Sequence, residues 1–547
     1  MGNLSCGKTD YDKKGEELVH SIEKKVKIIE RDASLSYWNA MVTGKDEYFR
    51  KYEELNKKIV DIYSDKNEYE KLKNIYESGK ITKYELKREI ELLLLNFKRN
   101  QIPKDLRDEI IILETKLEKE FSTFRGKVDG KEVSANEISE ILKKSKNSEE
   151  RRKYWEASKS VGEILSKDFL KLVKLRNRVA HILGFKNYYV MSLELSEQTE
   201  EDILEIFDDL AKSTEEPFKK IKSEIDFKLS QRYGISPNEL MPWHYEDPYF
   251  QEGVSINETN IDFFIKGKDI IKITEAFYKS IGIELSDVIK RSDFYEKKGK
   301  NPHAFEIMIG RSGDVRVLMN IKDNSQWLET ALHEFGHAAY SKYIDKKLPY
   351  FLREEAHIFV TEAIAMLFGR LTKNPYWLQK ALNIKEDEIN KIRMALLKEF
   401  LESQLIFSRW AQVMMRFERE LYYNQDQDLN ELWWKLKERY QFIKKPEGRN
   451  KPDYAAKIHI ISDPVYYHNY MLGEILASQL NNYIISKLYK EKNKTLVPYY
   501  GEKKIGEFLI DSVFKQGAKY RWDKLILKAT GEELTTKYYV KMFFLLE

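Results

Sequence analysis

The residues best suited to catalysis lie between Leu332 and Ala338. Residues 333–337 of this segment have the sequence His-Glu-Phe-Gly-His. His333 and His337 are four residues apart, so in a helix both rings project from one face. Two neutral imidazoles at that spacing can bind one zinc ion at about 2.0–2.1 Å each. Glu334 lies next to the first histidine and can accept a proton from a metal-bound water. The motif therefore predicts a catalytic zinc site.

Such a motif requires a helix, and the flanking residues predict one. Asp323-Asn324-Ser325 offers an N-cap just before the motif. A buried stripe at helical spacing follows, formed by Trp327, Ala331, Phe335 and Ala338. The alternative is a helix with two ordinary histidines. The helical setting that the motif requires is present, so we prefer zinc.

A third metal ligand is expected downstream, because a catalytic zinc normally has three protein ligands and one open position. The segment after the motif is predicted to be helical and to stop at Gly369, before Pro375. Four residues in it could supply the ligand, and spacing alone does not choose between Glu354, Glu355, His357 and Glu362.

A β-hairpin is predicted directly before the motif. Residues 303–309 and 315–321 alternate with period two, and Gly310-Arg311-Ser312-Gly313-Asp314 separates them. An edge strand there could pair with the extended backbone of a peptide. The alternative is a hairpin that only buries its apolar face.

Two further segments are rich in polar aromatic residues. Residues 242–249 break the helical pattern and suggest either a loop facing a cleft or an ordinary surface loop. Lys457-Ile458-His459-Ile460 is followed closely by three tyrosines and a histidine in residues 466–470. This density of Lys, His and Tyr is unusual for a core, although polar clusters also stabilise cores.

Composition narrows the remaining choices. The 547 residues contain 94 Lys+Arg and 90 Asp+Glu, a difference of +4, and no isolated basic block, so nucleic acid is not an expected partner. Cys6 is the only cysteine, so no internal disulfide can form. No run of eighteen apolar residues is present, and no membrane span is expected. We expect a cytoplasmic protein. Leu4-Ser5-Cys6-Gly7 resembles the end of a bacterial lipoprotein signal, so the alternative is an exported or lipid-anchored precursor with its signal trimmed.

Taken together, three blocks resemble the angiotensin-converting-enzyme family of zinc dipeptidyl carboxypeptidases. They are His303-Ala304, residues 333–363 from the His-Glu-Phe-Gly-His motif to Glu362-Ala363, and residues 457–470. The thimet and oligoendopeptidase F families share the motif and are the nearest rivals. The resemblance implies a mostly α-helical zincin with a small antiparallel β-sheet and a deep central cleft. It also implies one peptidase domain over residues 1–547, built from two helical halves, with residues 1–110 forming a lid.

The resemblance also implies catalytic roles. Glu362 matches the family's third zinc ligand, and His357 does not. Glu334 matches its proton shuttle. His459 and Tyr470 match the pair that stabilises the oxyanion of the transition state.

The implied substrate contacts include Lys457 and Tyr467, which match groups that hold the substrate's C-terminal carboxylate. Tyr466 is an alternative to Tyr467, because the match requires one extra residue after His459. Tyr245 stands where the family has a glutamine in the same pocket. The positions beside the substrate backbone are His303 and Ala304.

The resemblance thus implies a zinc-dependent hydrolase that releases C-terminal dipeptides from oligopeptides. Two alternatives stay open: an endo-acting oligopeptidase with the same chemistry, and a non-catalytic peptide-binding relative. The intact Glu334 argues against the second alternative.

Overall fold

The computed structural model describes residues 10–254, 259–491, 494 and 496–546. For residues 545 and 546 it describes only the backbone. Its helices are α1 (Asp10–Thr43), α2 (Asp46–Tyr63), α3 (Lys66–Glu77), α4 (Tyr84–Arg99), α5 (Lys104–Thr123), α6 (Ala135–Lys144), α7 (Ser148–Lys159), α8 (Val161–Ile182), α9 (Tyr188–Glu194), α10 (Glu200–Tyr233), α11 (Asp262–Ile265), α12 (Ile270–Ser280), α13 (Ser286–Arg291), α14 (Ser325–Tyr343), α15 (Ile358–Gly369), α16 (Pro375–Leu382), α17 (Glu386–Tyr423), α18 (Leu429–Gln441), α19 (His459–Ser462), α20 (His468–Tyr483), α21 (Lys503–Ser512), α22 (Trp522–Thr530) and α23 (Lys537–Lys541).

The strands of the described residues form two small antiparallel hairpins. They are β1 (Gly126–Val128) with β2 (Lys131–Val133), and β3 (Phe305–Ile309) with β4 (Asp314–Leu318). The prediction of a mostly α-helical fold with little sheet is confirmed. None of the described helices combines the length and the apolar character needed to cross a bilayer. The signal-like stretch Leu4–Gly7 lies outside the described residues.

The chain divides into two compact units. The first comprises Met1–Gln101, Asn260–Lys391 and Gly473–Thr535, and the second comprises Ile102–Thr259, Ile392–Leu472 and Thr536–Glu547. The lid role of residues 1–110 and the single domain with two flanking halves remain predictions.

In the first unit, α14 occupies the core. Its N-cap is Asn324, whose side-chain oxygen accepts a hydrogen bond from the Trp327 backbone N–H at 2.9 Å, as the sequence predicts. Ala331, Phe335 and Ala338 are fully buried, while Trp327 is only partly buried. α14 packs against α15, α12 and the β3–β4 hairpin, so the predicted motif helix is held on several sides.

In the second unit, buried aromatic residues of α7, α8, α17 and α18 form much of the core. Trp155, Trp410 and Trp433 are almost completely buried, and the rings of Trp410 and Trp433 meet edge to face at 5.8 Å. The guanidinium of Arg176 donates to the Ile461 carbonyl at 2.6 Å and to Glu114 at 2.7 Å. Arg176 therefore fixes the short helix α19, which begins at His459.

Residues 242–249 are mostly buried, which rules out the interpretation as a surface loop. Their backbone polar groups find side-chain partners: Arg151 donates to the Trp243 carbonyl at 2.8 Å, and Trp155 donates to the Pro248 carbonyl at 3.1 Å. The Asp247 carboxylate accepts from the backbone N–H groups of Tyr249 and Gln251 at 2.7 and 3.0 Å. Asp247 thus shapes the turn that presents Gln251.

Candidate active site

His333, His337 and Glu362 bring one ligand atom each into a group whose atoms lie within 4.8 Å of one another. The Nε2 atoms of His333 and His337 are 3.3 Å apart. Glu362 Oε2 lies 3.6 Å from His333 Nε2 and 3.9 Å from His337 Nε2. Tetrahedral ligands about 2.1 Å from one ion would lie about 3.4 Å from each other. The separations therefore fit a single zinc ion.

The protonation of the two histidines also suits a metal. Burial lowers the pKa of His333 to about 4, and burial together with His333 lowers the pKa of His337 well below its ordinary value. Both rings are therefore neutral at pH 7, which metal binding requires. The Nδ1 of His337 is hydrogen-bonded to the Thr361 hydroxyl at 2.7 Å, which orients the ring so that its Nε2 faces Glu362.

Close packing of helices positions the third member of this group. A β-carbon on Gly336 would stand 2.8 Å from the Ala365 Cα, so only glycine permits this approach of α14 to α15. On the other side of α15, a β-carbon on Gly473 would stand 3.2 Å from the Glu362 Cβ and 3.0 Å from the Met366 Sδ. These glycines let α15 lie near enough for Glu362 to reach the histidine pair.

The other three candidate ligands have different partners. Glu354 pairs with Arg311 at 2.7 Å, and Glu355 accepts from the Ser341 hydroxyl at 2.6 Å. His357 is the N-cap of α15, where its Nδ1 accepts from the Phe359 backbone N–H at 3.2 Å. Among the described residues, Glu362 alone joins both histidines in a metal-binding group.

Glu334 lies beside this group and is buried, with 8% of its surface exposed. Burial, followed by the charge of Glu362, raises the pKa of Glu334 to about 8. A divalent cation on the three ligands would oppose that shift, because nearby positive charge favours the carboxylate. The residue is thus suited to exchange a proton near neutral pH.

His303 and Ala304 immediately precede β3 and are not part of it, so the strand is shorter than the sequence suggests. The backbone N–H of His303 donates to Asn301 Oδ1 at 2.8 Å, which holds the approach to the strand in a turn. The predicted hairpin itself is confirmed, with Phe305 opposite Leu318. β3 pairs with β4 alone among the described strands, so its other edge has no strand partner there.

In the second unit, Lys457 lies in a cluster of aromatic residues. Its ammonium is 5.4 Å from the Tyr467 ring centre and 5.1 Å from that of Tyr249. It donates to Gln251 Oε1 at 2.7 Å. The hydroxyl of Tyr467 accepts from the Trp410 indole N–H at 2.7 Å. Burial lowers the pKa of Lys457 to about 8, although Asp247 and Glu252 oppose the shift.

Tyr245 has a different set of hydrogen-bond partners, and its predicted role in substrate binding stays a prediction. Its hydroxyl donates to Asp226 and accepts from Lys222, each at 2.9 Å, and it is hydrogen-bonded to neither Lys457 nor Tyr467. The glutamine beside Lys457 is Gln251, which sequence reasoning missed. A glutamine following the aromatic loop was the available signal, but the turn at Asp247 that presents it is not visible in the sequence.

His459 and Tyr470 both contact Tyr467, with ring centres 5.4 Å away in each case. Burial, followed by the charge of Lys457, lowers the pKa of His459 to about 4, so the imidazole is neutral at pH 7. Its Nδ1 is buried without a hydrogen-bond partner in the described part of the chain. Tyr466 contacts the Tyr470 ring at 5.2 Å, but Tyr467 has the ring contacts to Lys457 and His459. This geometry favours Tyr467 over Tyr466.

The sequence of the chain matches two known families of peptidases. The model of "Peptidase family M3" matches residues 141–543, which is most of the chain. The chain belongs to peptidase family M3. The model described as "Angiotensin-converting enzyme" also matches, over residues 9–245.

Several angiotensin-converting enzymes are similar to this chain. The enzyme of Haematobia irritans exigua is 24% identical over 453 residues, which is 75% of this chain and 72% of that protein. The enzyme of Mesocricetus auratus is 23% identical over 435 residues, covering 72% of this chain and 32% of that longer protein. A shorter match, 28% over 130 residues, is to an inactive angiotensin-converting-enzyme-related protein of Caenorhabditis elegans. It covers 22% of this chain and 14% of that protein.

These matches confirm the predicted family resemblance and the prediction of a metallopeptidase, a hydrolase of peptide bonds. Both matching families are zinc-dependent in general.

Proposed function

We propose that this M3 peptidase binds one zinc ion on His333, His337 and Glu362 and releases dipeptides from the free C-terminus of oligopeptides. The observation that carries the proposal is the His-His-Glu group, whose ligand separations match one tetrahedral ion. Zinc held there would act as a Lewis acid and lower the pKa of a coordinated water toward about 7.

The catalytic proton transfers fall to Glu334. Its buried carboxylate accepts a proton from the attacking water and then donates it to the leaving amine. The family resemblance assigns to His459 and Tyr470 the hydrogen bonds that the carbonyl oxygen of the scissile bond accepts as negative charge develops on it. Removing one such donor typically lowers the rate by about 10²–10³.

Lys457 recognises the free C-terminus of the substrate, and Gln251 and Tyr467 lie beside it. A buried ammonium paired with the substrate's terminal carboxylate forms a charge-assisted hydrogen bond, roughly twice as strong as a neutral one. The resemblance to dipeptidyl carboxypeptidases implies that two residues are released.

The M3 match over residues 141–543 supports one alternative, an endo-acting oligopeptidase of the thimet or oligoendopeptidase F type. Such an enzyme would cut inside a peptide regardless of its C-terminus. The non-catalytic alternative requires that Glu334 have no chemical role.

Matched peptides with a free and an amidated C-terminus distinguish these functions. Mass spectrometry should show serial loss of dipeptides from the free peptide, and a kcat/KM at least about tenfold lower for the amidated one. The Glu334→Gln variant, purified in parallel, controls for contaminating peptidases. Equal internal cleavage of both peptides would establish the oligoendopeptidase instead, and binding without cleavage would establish the non-catalytic relative.

A further inference from the structure

A cavity of about 540 Å³ lies in the first unit and is lined by residues of α1, α2 and β3 and by the segment before α15. This volume is within the range of ligand-binding pockets. Four carboxyl groups line it, those of Glu30, Glu306, Glu354 and Glu355, against a single guanidinium, that of Arg311. The cavity therefore carries an excess of acidic groups.

Arg311 forms ion pairs with two of these four carboxyl groups. Its guanidinium pairs with Glu30 at 3.3 Å and with Glu354 at 2.7 Å. Glu30 also accepts from the hydroxyls of Tyr350 and Tyr63, at 2.8 and 3.2 Å. These two carboxylates are thus neutralised or hydrogen-bonded within the protein.

Glu306 and Glu355 are less well compensated than Glu30 and Glu354. Neither forms an ion pair with any described residue, and the hydroxyl of Ser341, which donates to Glu355 at 2.6 Å, interacts with both. Glu306 Oε1 is buried and has no hydrogen-bond partner in the described structure. Burial raises the pKa of Glu306 well above its ordinary value, and the charges of Glu355 and Glu334 raise it further. A buried carboxyl oxygen without a hydrogen-bond partner is costly, and a cation in the cavity would offset that cost.

The cavity lies close to the catalytic motif. Ser341 is on α14, one turn beyond His337 and two turns beyond Glu334, which is about 10 Å along the helix axis. Glu306 is the second residue of β3, whose outer edge has no strand partner among the described residues. An extended peptide advances about 3.3 Å per residue, so a side chain a few residues from the scissile bond can reach this distance.

Two tyrosines indicate which cation fits. Tyr37 and Tyr52 also line the cavity, with ring centres 5.1 Å apart. A guanidinium is planar, stacks on aromatic faces and forms paired hydrogen bonds with carboxylates, whereas an ammonium acts as a point charge.

We propose that this cavity is a specificity subsite that binds an arginine side chain of the peptide substrate through Glu306 and Glu355. The inference rests on the proposed peptidase function and adds a preference to it. Tyr37 and Tyr52 flank the guanidinium, and Ser341 holds the two carboxyl groups together.

The test compares arginine with citrulline, its neutral counterpart of nearly equal shape. An alanine-based hexapeptide series carries one arginine or one citrulline at each position in turn, and every peptide is made with a free and an acetylated N-terminus. Cleavage is followed by mass spectrometry. At one position, kcat/KM for arginine should exceed that for citrulline by about tenfold to a hundredfold, whether or not the N-terminus is acetylated.

Variants then assign the preference to the cavity. Glu306→Gln and Glu355→Gln keep side-chain size and should each reduce the arginine-to-citrulline ratio at least about fivefold, while citrulline peptides are still cleaved. Glu53→Gln is the matched control: it removes the same charge from α2, but Glu53 is two-thirds exposed, pairs with Lys57 and is absent from the cavity lining. Its ratio should equal that of the unmodified enzyme.

The outcomes separate the two proposals. Equal kcat/KM for arginine and citrulline at every position would overturn the subsite, as would a preference that both glutamine variants retain. A preference that disappears on N-terminal acetylation would also overturn it, because the cation would then be the terminal ammonium. Failure to cleave any peptide would instead count against the proposed function.

Discussion

Gly336 lies directly against Ala365, and a β-carbon on the glycine would stand 2.8 Å from the Ala365 Cα. Gly336 belongs to the helix that carries His333 and His337, and Ala365 belongs to the helix that carries Glu362. This contact therefore sets the separation between the histidine pair and the carboxylate. The glycine of the His-Glu-Phe-Gly-His motif therefore has a structural role, because it permits the close approach of the two helices.

The first prediction is that Gly336→Ala weakens zinc binding by at least about tenfold. The added methyl group must displace α15, and overpacking of this kind also costs about 1–3 kcal/mol of stability. Competition with a chelator measures zinc affinity. Gly369→Ala is the control, because its new methyl group would meet the His333 Cβ at 3.6 Å, an ordinary contact. Unchanged affinity in Gly336→Ala would contradict this account of the motif glycine.

The second prediction separates two ligand candidates that spacing alone did not resolve. Glu362→Ala should lower zinc affinity by more than about a hundredfold, because it removes a direct ligand. His357→Ala should retain zinc and lose about 0.5–1 kcal/mol of stability, because it removes the N-cap bond to Phe359. Metal analysis and thermal unfolding of both variants test this. The assignment is wrong if His357→Ala empties the site while Glu362→Ala does not.

The motif helix could be predicted from the sequence because its signals are local. The Asn324 cap, the spacing of the buried residues and the two histidines all fall within one segment. The third ligand could not be chosen from spacing, because the choice depends on how α14 packs against α15. Family resemblance selected Glu362, and the packing at Gly336 now gives a physical reason for that choice.

The surroundings of Tyr245 and Gln251, in contrast, could not be predicted from local sequence signals. The family resemblance places Tyr245 in the same pocket as Lys457, which is proposed to bind the substrate's carboxylate, and its hydroxyl is bound to Lys222 and Asp226. The buried turn at Asp247 instead brings Gln251 to Lys457. That turn is stabilised by backbone N–H groups bonding to one carboxylate, an arrangement that hydrophobic periodicity does not reveal.

The third prediction concerns Glu334→Gln, which should keep stoichiometric zinc but lower kcat by about 10²–10⁴. Glutamine has nearly the same shape but cannot accept and return a proton. The measurement is zinc content together with single-turnover cleavage of a free peptide. Near-normal turnover with zinc present would exclude Glu334 as the proton shuttle.

The fourth prediction is a pH dependence of substrate binding that arises from Lys457. Burial lowers the pKa of this lysine to about 8, so it is positively charged below pH 8 and becomes neutral as the pH rises above it. Only the charged form attracts a terminal carboxylate strongly, so KM for peptides with a free C-terminus should rise as the pH increases through about 8. The rise should approach tenfold per pH unit at higher pH.

Two comparisons identify the titrating group. Amidated peptides carry no terminal charge, so their KM should not follow this pH profile. Lys457→Met should show a high KM for free peptides at every pH. A profile that persists unchanged in Lys457→Met must come from another group.

The last prediction tests whether Gln251 or Tyr245 contributes to the proposed carboxylate pocket. Gln251→Glu places a carboxylate 2.7 Å from the Lys457 ammonium, at the position of the present amide oxygen. That carboxylate would neutralise Lys457 internally and repel the substrate's own terminal carboxylate. KM for free peptides should therefore rise at least about tenfold, while amidated peptides should be affected little.

Tyr245→Phe is the matched comparison within the same unit. It removes a hydroxyl bound to Lys222 and Asp226, so it should cost about 1 kcal/mol of stability and leave KM unchanged. Steady-state kinetics and denaturant unfolding of both variants provide the two measurements. If Tyr245→Phe raises KM and Gln251→Glu does not, the carboxylate pocket is built on Tyr245 after all. If only Gln251→Glu raises KM, the amide next to Lys457 belongs to the pocket, because a purely structural role would change stability without distinguishing free from amidated peptides.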